Sequence, residues 1–81
     1  MIITTKYKEP EDIEFMHQCA EIDKNKPATW LRYPNDKIGA NSIIKMEFEE
    51  LMNTKDKEAY THELYHLATA CLHAWRICKD K

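Results

Sequence analysis

Tyr60, Leu64, Leu67, Cys71, Trp75 and Cys78 recur at steps of four, three, four, four and three. A repeat of that period predicts one long helix over residues 57–79, with a sustained apolar stripe as its seam against other helices. Just before it, Asn53-Thr54-Lys55-Asp56 is a short polar break in which Asp56 or Thr54 can cap the long helix. The stretch before that break predicts a second helix over 42–53, with Ser42 as its N-cap. So short a gap makes the two helices an antiparallel hairpin. On the second helix, Ile44, Phe48 and Leu51 form the stripe expected to face the core. Ile43, Glu47 and Glu50 form another stripe beside it.

The rest of the chain adds one more helix. Glu9-Pro10-Glu11-Asp12 combines a proline suited to the first helical position with acidic residues that complement the helix dipole, so a first helix is expected over 10–24. Its apolar residues Ile13, Phe15, Met16, Cys19, Ala20 and Ile22 cover a wide face. Residues 25–41 form a long connection in which Pro27 to Tyr33 can make one or two helical turns. In it, Trp30, Leu31 and Tyr33 are expected to plug the open end of the core. Gly39 reads as a bend, and residues 1–9 read as an N-terminal arm. With one glycine, three prolines and 81 residues, the fold expected is all-α: a small helical bundle of three main helices in one domain. A core of that size stabilises weakly, so completion by oligomerisation is expected.

Composition also narrows the function. A formal net charge of −2 without a basic block argues against a nucleic-acid partner held by phosphate contacts. No apolar run is long enough to span a membrane, and the first residues lack the apolar core of a secretion signal, so a cytoplasmic location is expected. Cys19, Cys71 and Cys78 are an odd set without a framework, expected to be reduced and buried. Cys19 with His17, and Cys71 with His73, stand about 200° apart on a helix and make poor zinc pairs. Met16, Met46 and Met52 are expected to fill gaps in the core.

The chemistry-bearing residues cluster on the hairpin, and three readings apply. His62-Glu63-Leu64-Tyr65-His66 matches the H-E-x-x-H pattern, in which two histidines one turn apart hold zinc and the glutamate acts as general base. A third ligand would have to follow, and His73 lies about 10.5 Å further along an unbroken helix, too far to share the ion. A zinc hydrolase is therefore the minor alternative. In the second reading Glu47 and Glu50 form one half of a metal site, and Glu63 and His66, twelve residues beyond Glu50, form the other. Such ligands suit Mg²⁺ or Mn²⁺, and the histidines at 62 and 66 admit Zn²⁺.

That pattern, with the surrounding Glu47-Phe48-Glu49-Glu50-Leu51 and Glu63-Leu64-Tyr65-His66-Leu67-Ala68 and the late Trp75, resembles the all-α MazG-like nucleoside triphosphate pyrophosphohydrolases, in particular small phage-type members. The resemblance covers about residues 43–76. It implies that Glu47, Glu50 and Glu63 bind the metal, with Glu50 and Glu63 catalytic. It also implies cleavage of a nucleoside triphosphate between its α and β phosphates, and assembly as a homo-oligomer, a dimer or tetramer. His66 departs from it by standing where the family has aspartate. Lys45, Arg32 and Arg76 are candidate phosphate contacts, and Trp30, Arg32 and Tyr33 could stack on a base and hold a phosphate. In the third reading Glu47, Glu49 and Glu50 only balance Lys45, Lys55 and Lys57 on a solvated face. The chain is then a small helical interaction module, such as a phage accessory protein that sequesters a protein or nucleotide, with aromatic surface around Trp30 as its patch.

Overall fold

The computed structural model describes residues 10–79, and the expected N-terminal arm lies outside them. The helices are α1 (Pro10–Asn25), α2 (Lys37–Asn53) and α3 (Lys57–Lys79), with a 3₁₀ turn at Ala28–Arg32 between the first two. Among the described residues there is no strand, and the architecture is all-α. α3 packs against both α2 and α1 and forms the middle of the molecule.

Local chemistry sets each boundary. α1 opens on Pro10 with Glu11 and Asp12 in its first turn. It closes at Lys26, whose φ of 39° is left-handed and whose N–H donates to the Ile22 carbonyl at 2.8 Å. A lysine there is strained, and its ammonium offsets part of that cost by donating to the Asp23 carbonyl at 2.8 Å and to Asp23 Oδ1 at 3.2 Å. The 3₁₀ turn is held by Trp30 N–H to Pro27 O and Tyr33 N–H to Trp30 O.

α2 begins five residues earlier than the sequence suggests. Its N-cap is Asp36, which accepts from Gly39 N–H at 2.9 Å, while the Ser42 hydroxyl bonds back to the Ile38 carbonyl inside the helix. Gly39 is therefore no bend. It is buried in the first turn of α2, where a Cβ would land on the Pro34 carbonyl. At the hairpin, Thr54 closes α2 by donating its hydroxyl to Glu50 O at 2.6 Å, and Asp56 caps α3 by accepting from Ala59 N–H at 2.9 Å.

The buried faces differ from those expected. The buried apolar residues are Cys19, Trp30, Ala40, Ile43, Leu51 and Ala70, with Tyr33, Ile44 and Met46 packed against the Trp30–Ile43–Ala70 cluster. The stripe expected to be the seam of α3 faces outward at Tyr60, Leu64, Cys71, Trp75 and Cys78, and only Leu67 is partly covered. Facing inward instead are Glu63, His66, Thr69, Ala70 and His73. On α2, Phe48 is exposed and Glu47 takes a buried place. Cys71 and Cys78 are exposed rather than buried, as are Met16 and Met52, and Leu31 stands outside the plug that Trp30 forms.

The cause is Trp30. Its indole lies over the α2–α3 groove with its ring centre 5.6 Å from that of His73, and it needs a buried acceptor for its N–H. The polar stripe of the hairpin supplies one. α1 runs alongside α3 in the same direction, since Phe15 stacks on Tyr65 at 4.9 Å and Asp23 pairs with Arg76 at 3.2 Å, two to three turns further along. The buried Asp23 carboxylate thus has Lys26 on one oxygen and Arg76 on the other.

Candidate metal centre

Glu47 occupies the middle of α2 and is 2% exposed. Its Oε2 accepts a 2.8 Å hydrogen bond from Trp30 Nε1, which fixes the rotamer of the carboxylate. Its Oε1 points the other way and has no hydrogen-bond partner among the described residues. Glu63, across the hairpin on α3, likewise has a buried Oε1 without a partner. One turn on, His66 Nδ1 lies 3.7 Å from Glu47 Oε1. That distance is too long for a hydrogen bond but close to the spacing of about 3–3.5 Å between two donors on one ion with bonds near 2.1 Å. Donor atoms of Glu47, Glu63 and His66 all fall within 4.8 Å of one another.

Burying carboxylate oxygens without partners is costly, because a charged group out of water needs an opposite charge or a donor. Two carboxylates, each with a buried oxygen that lacks a partner and each with a donor atom in one group with an imidazole, are an arrangement that a divalent cation satisfies. Two carboxylates with one imidazole form a mixed O,O,N donor set suited to Mn²⁺ or Zn²⁺. Glu50, one turn from Glu47, stands exposed at the rim. Its carboxyl is raised above the usual range, first by desolvation and then by the charge and hydrogen bonding of Glu47, with His66 and Glu63 opposing.

Thus Glu47, Glu63 and His66 come together, and Glu50 adjoins them. His62 packs against His66 with ring centres 4.4 Å apart and the rings tilted by 51°, but it is exposed and outside the group of three. The H-E-x-x-H pattern is therefore split, with Glu63 turned toward Glu47. Trp30 is nearly inaccessible and committed to Glu47, so no base can stack on it; it is a positioning residue, a role that spacing alone did not reveal. Arg32 and Lys45 are exposed, and Lys45, two residues before Glu47, points about 200° away from it around α2. Tyr33 packs on the core with its hydroxyl 3.7 Å from Met46 Sδ.

Beside His66 a cleft of about 350 Å³ opens between α3 and the end of α1, lined also by Glu21, Ile22, Asn25, Lys26 and Pro27. Among the described residues that line it, Lys26 carries a fixed positive charge, and the sequence pattern did not single it out. Among the described residues no helix is long and apolar enough to cross a membrane. No protein-family model matches the chain, and no match was found among curated proteins or solved structures.

Proposed function

We propose that the chain holds a divalent metal ion through Glu47, Glu63 and His66 and acts as a MazG-like nucleotide pyrophosphohydrolase. The observation that carries the metal reading is that Glu47 and Glu63, each with a buried Oε1 that lacks a hydrogen-bond partner among the described residues, group their donor atoms with that of His66. The substrate class rests on the resemblance of Glu47-x-x-Glu50 and Glu63-x-x-His66 to the family pattern. The convergence of these two halves supports it over the zinc-peptidase reading, which needs a third ligand beyond His66.

When bound, such an ion supplies charge neutralisation for substrate phosphates and acidifies a coordinated water. The chain's own residues do the rest. Trp30 holds the Glu47 carboxylate in place. Glu50, with its raised carboxyl at the rim, is the group we assign to accept a proton from the attacking water. Lys26 offers a positive charge to the leaving pyrophosphate in the adjoining cleft. His66 in place of a further carboxylate leaves the centre less negative, which favours Mn²⁺ or Zn²⁺ over Mg²⁺.

Calorimetric titration with Mn²⁺, Zn²⁺ and Mg²⁺, followed by a nucleoside triphosphate panel and a pyrophosphate assay, tests this. The expected result is one metal site per chain, with affinity lost in Glu63→Gln, and pyrophosphate release lost in Glu50→Gln. No heat with any of the three ions would overturn the metal reading; metal binding without nucleotide turnover or binding would overturn the substrate class alone.

A further inference from the structure

We infer that the recess between the α1–α2 connection and α3 is a second ligand site, separate from the metal centre, for a small organic monocarboxylate with one apolar ring. The recess has a volume of about 340 Å³ and is lined by Lys26 and His73 together with Trp30, Leu31, Tyr33 and Pro34. None of Glu47, Glu63 and His66 borders it, and it is more enclosed than the cleft beside His66. Its size is at the small end of ligand pockets, which run from about 300 to 1,000 Å³, so it suits a single ring with one substituent.

Two donors on this recess are unspent. His73 is 7% exposed, and no hydrogen bond to its ring nitrogens occurs among the described residues. Burial and the Lys26 charge keep the imidazole neutral, so it offers one N–H. Lys26 donates to the Asp23 carbonyl at 2.8 Å and to Asp23 Oδ1 at 3.2 Å, and an ammonium has a third N–H to give. Two N–H groups from opposite walls match the two oxygens of a carboxylate. The charge sets the valence. Asp23 is matched by both Lys26 and Arg76, so the trio carries one net positive charge, to which the neutral His73 adds nothing. One negative charge completes it, and a doubly charged phosphate exceeds it. The remaining wall is apolar: Leu31 is 73% exposed and stands with Tyr33 and Pro34 where a ring would cover it. Glycine would relieve the left-handed backbone at residue 26, but lysine there supplies the ammonium.

Phenylacetate, a ring with one carboxylate and about ten non-hydrogen atoms, is the probe. Titrated into the ¹⁵N-labelled full chain without added metal, it should give saturable NMR shifts at the His73 side chain and the backbone amides of Leu31, Tyr33 and Asn35. For a ligand of that size a Kd of about 1 mM or tighter is expected. Phenylacetamide, its neutral analogue, and inorganic phosphate should each bind about 10-fold more weakly or not at all, since the charge-assisted pair is lost or the charge mismatched. Lys26→Gly removes the ammonium at a φ that glycine adopts freely, and His73→Phe removes the imidazole N–H while keeping a ring. Each should weaken phenylacetate binding by about 10-fold. Should His73→Phe fail to fold, Lys26→Gly and the amide probe still decide the matter. Absence of saturable shifts overturns the inference, and so does equal binding of the amide. Shifts at Glu63 and His66 instead would put the probe in the metal cleft and overturn it as well. Displacement of phenylacetate by a nucleoside triphosphate would make the recess part of the substrate site, which overturns a separate one. With metal left out of the titration, the outcome does not depend on whether the metal reading holds.

Discussion

Trp30 shows how much one side chain can decide. Its ring is the largest side chain of the buried apolar cluster, and its indole N–H orients the Glu47 carboxylate. Trp30→Phe keeps most of the ring contact and removes the donor, leaving a second buried oxygen of Glu47 unsatisfied. The expected cost is about 1–3 kcal/mol in chemical denaturation. Mn²⁺ or Zn²⁺ affinity should fall by about 10–100-fold, as for other losses of a residue that orients a ligand, and calorimetry measures this directly. If affinity is unchanged while stability drops, Trp30 serves the core only. Gly39 is constrained by space rather than by φ. Gly39→Ala drives a methyl into the Pro34 backbone and should destabilise by about 1–3 kcal/mol, read as a lower midpoint in urea.

At the level of elements, α1 and α3 are joined through a buried polar contact. Asp23 of α1 pairs with Arg76 of α3, and the His73 imidazole lies close to both Lys26 and the Asp23 charge. Burial lowers the His73 pKa from its usual value; the Lys26 ammonium lowers it further, and Asp23 opposes. The unfolded chain therefore binds a proton here more readily than the folded one. Stability from this group is complete above the unfolded pKa of about 6.5 and is lost as pH falls through the window from there down to the depressed folded value. Thermal melts from pH 7.5 to 5 should show a falling midpoint, and His73→Gln should flatten that fall; a wild-type midpoint unchanged over the range would refute the argument. The element boundaries of α1 and α3 were legible because proline, acidic caps and a strict period mark them. The start of α2 was not, because Ser42 looks like a cap in sequence while Asp36 performs the capping. Periodicity located the stripes of the hairpin and placed Leu51 and Ile44 of α2 on the core, but it assigned Phe48 and most of the α3 stripe to the wrong face. It counts apolar residues and cannot see that Trp30 demands a polar groove, nor that an apolar stripe can be left outward. The pairing of Glu47 with Glu63 and His66 was legible, since i, i+3 spacing on antiparallel helices is enough to converge them. The contribution of Lys26 was not, because it depends on how α1 ends.

For the whole molecule, polar chemistry and apolar surface lie on opposite sides of a thin slab. Among the described residues, the large apolar side chains that are buried are Trp30, Ile43 and Leu51. Such a core is small for the 70 described residues, and the stability it supplies should be low. Urea denaturation is expected to give an unfolding free energy of about 3–5 kcal/mol, the range for a single core of this size.

The two tryptophans of the chain stand on opposite sides of that slab, Trp30 buried against a metal-facing carboxylate and Trp75 open on the apolar face. The protein thereby carries two optical probes with different emission: a blue-shifted indole that senses charge arriving at Glu47, and a red-shifted one that senses loss of water at Trp75. An emission spectrum of the unlabelled chain can therefore tell a change at one face from a change at the other.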